Sequence, residues 1–166
     1  MNKLPVVVDA DGLKLLASVE HWPELLHSPA ILTPHPGEMG VLTGLPIDKI
    51  QENRIDIAKK YASIWGHVVV LKGAFTVIAD PNEQIAVVPV ASPALAKAGT
   101  GDVLAGLIVG LRAQGMNAFD AACAGAWIHA NAGLLAAKGV GNTASVIARD
   151  ILNQVQNVIS DLSRSI

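Results

Sequence analysis

The chain has 166 residues, 51% hydrophobic and 16% charged, with a net charge of −2 at neutral pH; this length carries one domain with a real core, and this composition excludes a disordered chain. The charge leaves no footprint for nucleic acid, and no apolar run reaches membrane-spanning length. The lone Cys123 excludes a disulfide framework or a cysteine-rich zinc site, and the opening Met1-Asn2-Lys3-Leu4-Pro5 lacks a signal-peptide pattern, so a reducing cytoplasm is the expected compartment.

Leu4 to Val8 is an unbroken apolar run. It predicts an interior parallel strand buried on both faces, ending at Asp9-Ala10-Asp11-Gly12. On an extended chain Asp9 and Asp11 share a face and suit a magnesium–water cluster or a ribose. The other role open to them is capping a short helix over Leu13 to Ala17. Ala30 to Thr33 reads as a second strand and leads into Thr33-Pro34-His35-Pro36-Gly37-Glu38. Pro34 and Pro36 fix their own backbone and restrict the residue before each. His35 is thereby held extended, either to present its imidazole or as a surface group on a rigid connector. Glu38 opens a helix to Leu42 and suits its positive end. Ile47 to Trp65 predicts a longer helix with Ile50, Ile57 and Ile64 on one face.

Val68 to Lys72 reads as a third strand that runs into Lys72-Gly73-Ala74-Phe75-Thr76. Lys72 is either a point charge for a phosphate, with Gly73 allowing close approach and Thr76 a hydroxyl, or an ordinary strand-end lysine before a turn. Phe75 to Ala79 and Ile85 to Val88 predict a hairpin turning through Asp80-Pro81-Asn82-Glu83. Ala98-Gly99-Thr100-Gly101-Asp102-Val103-Leu104-Ala105-Gly106 is the most informative stretch. Its glycines let a ligand approach the main chain, and the first N–H groups of a helix favour negative charge. Such a loop holds a phosphate, which Asp102 would repel. The carboxylate makes sense as a base that takes a proton from a hydroxyl attacking phosphorus; the competing role for Thr100 or Asp102 is a helix cap. Three helices follow, over Asp102 to Gln114, Phe119 to Lys138 and Thr143 to about Leu162. Cys123 and His129 read as packing residues of the second.

Strands alternating with helices, then a helical end, predict a layered α/β domain over 1–166 with a largely parallel sheet. Ligands bind such sheets beyond the carboxyl ends of the strands. Asp9, the 33–38 loop, Lys72 and the 98–102 loop all lie at such ends or lead into helices. Walker-type phosphate loops, dinucleotide fingerprints and nucleophile elbows are missing from the sequence.

Together, Val8-Asp9-Ala10-Asp11, Thr33 to Glu38, Lys72 to Thr76 and Ala96 to Gly106 resemble, in order and over most of the chain, the ADP/ATP-dependent NAD(P)H-hydrate dehydratase family. The Gly-Thr-Gly-Asp loop is shared with ribokinase-like small-molecule kinases; the His-Pro-Gly-Glu loop is more specific. Lys14 stands where the family commonly has Asn. The resemblance implies a ribokinase-like three-layer α/β/α fold without the N-terminal portion of the usual domain. It implies a repair lyase: the nucleotide phosphorylates the ring hydroxyl of hydrated NADH or NADPH, and phosphate is eliminated. Asp102 would be the base and, with His35, contact the hydrated cofactor. Lys72, Gly73, Ala74, Phe75, Thr76, Gly99, Thr100 and Gly101 would hold the nucleotide, ADP or ATP. Magnesium would neutralise its charge, with Glu38 as the candidate ligand. The other readings are a vitamin-precursor kinase on the same fold and a non-catalytic nucleotide-binding fragment. Expected partners are the hydrated cofactor, the nucleotide, and a second copy or a complementary N-terminal fragment covering the first strand; nucleic acid and membrane are not expected.

Overall fold

The computed structural model describes residues 4–26 and 29–164. Five strands form one sheet in chain order: β1 (Val7–Val8), β2 (Ile31–Leu32), β3 (Val68–Leu71), β4 (Val77–Ala79) and β5 (Ile85–Val87). The first three run parallel, and β3, β4 and β5 pair antiparallel. The sheet is therefore mixed, because the predicted hairpin closes through a two-sided turn. Buried Asp80 accepts backbone N–H bonds from Asn82 at 3.0 Å and Gln84 at 2.8 Å, which folds the chain back on itself.

Side chains alternate along each strand, so each face of the sheet has its own core. Leu32, Val69, Leu71, Val77 and Ala79 face α1 (Asp11–Ala17), the short α2 (Trp22–Leu25), α3 (Pro36–Thr43), α4 (Ile47–Glu52) and α5 (Arg54–Trp65). Ile31, Val68, Val70 and Ile78 face α6 (Thr100–Ala113) and α7 (Ala118–Val140). A further layer, α8 (Ala148–Ser163), packs on α7 through Ile151 and Val158. Alanine and glycine line the inner side of α7. A Cβ built at Gly125 would stand 2.7 Å from Ile108 Cγ1, and one at Gly133 would stand 2.3 Å from Leu95 Cδ2. α6 and the 3₁₀ turn Pro93–Leu95 close directly onto that surface.

Three expectations are corrected. Of the expected run Leu4 to Val8 only Val7–Val8 pair as a strand; they are half-buried, Leu4 is 81% exposed, and among the described residues β1 ends the sheet. Val8 and Val7 do pack against the two opposite cores, so the faces are covered while the edge is open. The helix expected over Ile47 to Trp65 breaks at Asn53, whose ψ of 41° is not helical. The break resets the phase, so Ile50 and Ile57 are buried while Ile64 points out. Asp9 and Asp11 do not share a face, because Asp11 already belongs to α1 and the intervening Ala10 has a φ of 50°. Asp11 pairs with Lys14 on the helix surface at 2.8 Å, and neither carboxylate caps α1. Cys123 packs beside the α6–α7 core, and burial pushes its thiol up to about 11, far from a reactive thiolate.

Candidate active site

The ends of β1, β2 and β3 deliver three charged side chains to one point. Asp9 follows β1, Glu38 lies in the first turn of α3 after β2, and Lys72 follows β3. Lys72 Nζ donates to Asp9 Oδ1 at 2.5 Å and stands 3.7 Å from Glu38 Oε2. All three are largely buried, with side-chain exposures of 14% for Asp9, 17% for Lys72 and 5% for Glu38.

Two prolines stiffen the approach to α3, and a capping box completes it. The Glu38 backbone N–H donates to His35 Nδ1 at 3.1 Å, while the His35 N–H donates to Glu38 Oε2 at 2.8 Å. His35 Nε2 lies 3.3 Å from Glu38 Oε1. The imidazole is thus fixed at the helix start with half its surface exposed. Both Glu38 oxygens already face donors of this chain. Among the described residues, no group of three or more His, Cys, Asp or Glu side chains is gathered to hold a metal.

The glycine loop meets this cluster from the other side of the sheet. Gly99 is the N-cap of α6 at a φ of 80°, where a side chain would be strained. The buried Thr100 hydroxyl lies 2.7 Å from the Leu95 carbonyl and 2.8 Å from that of Lys97, to which it donates, tying the helix start to the 3₁₀ turn. A Cβ at Gly101 would stand 3.6 Å from both Asp9 Oδ2 and Lys72 Nζ, so the helix start abuts the ion pair. Neither side chain caps α6. Asp102 is exposed in the first turn, and no hydrogen bond or ion pair to it is found among the described residues.

A cavity of about 650 Å³ opens between these pieces. Its walls include His35, Lys72, Gly73, Ala74, Thr76, Thr100 and Gly101, with Val88, Val90, Leu95 and Leu104 as apolar surface. That size and lining suit a small ligand held by a few polar groups. Gly99 and Asp102 flank the cavity without lining it. Phe75 turns away at a φ of 53° and lines a second depression with Arg54. Arg54 Nη2 donates to the Leu71 carbonyl at 2.8 Å, and its guanidinium would stand 3.2 Å from a Cβ at Gly73. Gly73 itself has a φ of 143°, so this turn requires glycine on both counts.

Sequence reasoning missed one wall residue. His129 of α7, read as packing, is buried and lines the cavity. Its surroundings of alanine and isoleucine gave no sign of a polar site. Burial lowers its pKa to about 4, with Lys72 adding to the effect. In the unfolded chain the ring titrates near 6.5. The unfolded state therefore binds the extra proton first, and stability falls as pH drops from 6.5 towards 4. The loss expected from this ring is about 3 kcal/mol. Urea unfolding at pH 7 and pH 4.5 checks it, with the pH sensitivity shrinking by that amount in His129→Asn.

The profile of the NAD(P)H-hydrate dehydratase family matches residues 1–157. The chain is 45% identical over 164 residues to the bifunctional NAD(P)H-hydrate repair enzyme Nnr of Moorella thermoacetica, a match covering 99% of this chain and 31% of that protein. It is 41% identical over 149 residues to the ADP-dependent (S)-NAD(P)H-hydrate dehydratase of Neisseria meningitidis, covering 89% of this chain and 50% of that protein. The chain thus spans about 31% and 50% of the length of these two relatives. It superposes with a TM-score of 0.83 at 32% identity on the ADP/ATP-dependent NAD(P)H-hydrate dehydratase of Bacillus subtilis co-crystallised with ATP and magnesium, covering 95% of this chain and 55% of that one. A ribokinase-like superfamily protein of Enterococcus faecalis shares the fold at a TM-score of 0.73 and 21% identity. The layered α/β fold is ribokinase-like, and the chain belongs to the NAD(P)H-hydrate dehydratase family.

Proposed function

We propose that residues 1–166 act as one unit, carrying the nucleotide site and the catalytic base of a cytoplasmic, nucleotide-dependent NAD(P)H-hydrate dehydratase. The observation that carries this reading is the Asp102 carboxylate at the start of α6, without a partner among the described residues and beside a cavity walled by Lys72, Thr100, Gly101 and His35. Asp102 takes the proton of the ring hydroxyl as that oxygen attacks the terminal phosphoryl group of ADP or ATP, and AMP or ADP leaves. The N–H groups after Gly99 receive the negative charge on that group, and Lys72, held in place by Asp9, adds a fixed positive charge. Phosphorylation turns a poor leaving group into a good one. The C–O bond then breaks as the neighbouring ring carbon gives up a proton, phosphate departs with the hydrate's oxygen, and the ring double bond of NADH or NADPH is restored.

Magnesium, bound on the nucleotide phosphates, would neutralise their charge. The donor set fits an ion carried in by the phosphates, since such ions keep most of their water and need only one or two carboxylates. Asp9 and Glu38 are the carboxylates within the cluster, and Lys72 and the capping box already engage both.

The test is direct: hydrated NADH with ADP or ATP is incubated with the chain, and NADH absorbance and free phosphate are followed together. Both signals should rise in step. A phosphorylated product that accumulates without NADH would make the chain a kinase instead. His35, fixed by its capping box on the cavity wall, is assigned to the hydrated cofactor. His35→Ala should raise the KM for the hydrate at least tenfold while nucleotide affinity, read by calorimetry, changes less than threefold. The open edge of β1 offers unpaired backbone groups to a further strand, from a second copy or a complementary segment. Sedimentation at micromolar concentration should show self-association, and a stable monomer would refute that assignment.

A further inference from the structure

Among the described residues, one cavity-wall side chain carries a buried polar atom without a partner. His129 lies near the middle of α7, only 7% exposed, and shares the wall with Lys72, Thr100, Gly101 and Ala130. It donates a hydrogen bond to the backbone of Thr100, the first residue of α6. Its Nε2 has no hydrogen-bond partner among the described residues. A neutral imidazole holds one N–H. With that N–H spent on Thr100, Nε2 is left as a bare acceptor.

Buried polar atoms of native chains are almost always satisfied, so an exception in a cavity wall points to a ligand. The chemistry of a bare nitrogen lone pair narrows the choice. It repels phosphate oxygens, which Lys72 and the start of α6 would attract, and it needs an O–H or N–H to accept. We propose that His129 is a specificity-determining residue of this cavity, its Nε2 accepting a hydrogen bond from a neutral donor of the nucleoside moiety, a ribose hydroxyl or an exocyclic amine. The assignment rests on the nucleotide site proposed above. His129 then joins two tasks: one ring nitrogen braces the anion-binding helix start, and the other reads the sugar or the base.

Calorimetry on the full chain tests this, using ADP, 2′-deoxy-ADP, 3′-deoxy-ADP and IDP, whose base has an oxo group where ADP has the amine. His129→Asn keeps an amide N–H near the position that reaches Thr100 and removes the distal acceptor. His129→Gln restores an acceptor at about the distance of Nε2. ADP should bind the Asn variant about tenfold more weakly, and the Gln variant within about threefold of the parent. One analogue, the one lacking the donor, should bind the parent and the Asn variant alike and so identify the sugar or the base as the source. Parental ADP affinity in the Asn variant overturns the assignment. So does an equal loss across ADP and every analogue, which would make His129 a packing residue only. Should the Asn variant fail to fold, the analogue series on the parent decides, and equal binding of all four nucleotides overturns the assignment. A parent chain that binds neither ADP nor ATP at millimolar concentration instead removes the nucleotide site itself, and this assignment with it.

Discussion

Asp102→Asn should reduce turnover of hydrated NADH by a hundredfold or more, the scale of a general-base contribution, while nucleotide affinity stays within about threefold. The substitution keeps the size of the side chain and its capacity to hydrogen bond. It removes only the basicity. In the structure the carboxylate neither caps α6 nor pairs with a cation among the described residues, so no structural duty is lost with it. Steady-state rates with the hydrate, set beside calorimetric titration of ADP and ATP, check both halves of the expectation. Near-parental turnover would take the base away from Asp102 and leave the helix start as an anion site alone.

The second large effect belongs to Lys72. Its ammonium is the shared counter-charge of Asp9 and Glu38, and all three side chains are at least four-fifths buried. Removing one partner from such a cluster strands the others in a poorly solvated place. Lys72→Met should therefore lower stability by about 3 kcal/mol, read from urea unfolding, and weaken nucleotide binding at least tenfold. The paired substitution Asp9→Asn with Lys72→Met separates the two effects. It removes a negative charge together with the positive one, so stability should partly return while nucleotide affinity should not. Recovery of both would mean that Lys72 serves the fold and not the ligand.

Much of this was legible from residue types. Val68 to Val70 are β-branched and Leu71 is apolar, which reads as a buried strand, and Asp80 with its neighbours reads as a turn. Prolines and glycines marked the two loops that converge on the cavity. The failures have a common cause, which is that one-dimensional patterns do not carry lateral order. The apolar run from Leu4 to Val8 reads as one buried strand, and nothing in it reports that only Val7–Val8 find a pairing partner while Leu4 stands exposed. The regular spacing of Ile50, Ile57 and Ile64 concealed a single non-helical residue, Asn53, after which the pattern no longer described one surface. His129 was hidden for a different reason. Its alanine neighbours signal close packing correctly, but they also leave space, and the cavity occupies that space.

That same scarcity of side chains on α7 gives the molecule a gauge. The separation between α6 and α7 is set by Gly125 meeting Ile108, two turns from the end of α6 that carries Thr100 and Asp102, or about 12 Å along the axis. Helices move as rods, so a methyl group added at that contact would be felt as displacement at the far tip, where Thr100 and Asp102 sit. The start of α6 is thereby calibrated from a position outside the cavity wall. Drift along this chain should be sharply lopsided as a result. The outer surface of α7, with Trp127 and Leu134 exposed, is free to change, while its inner surface admits almost no growth.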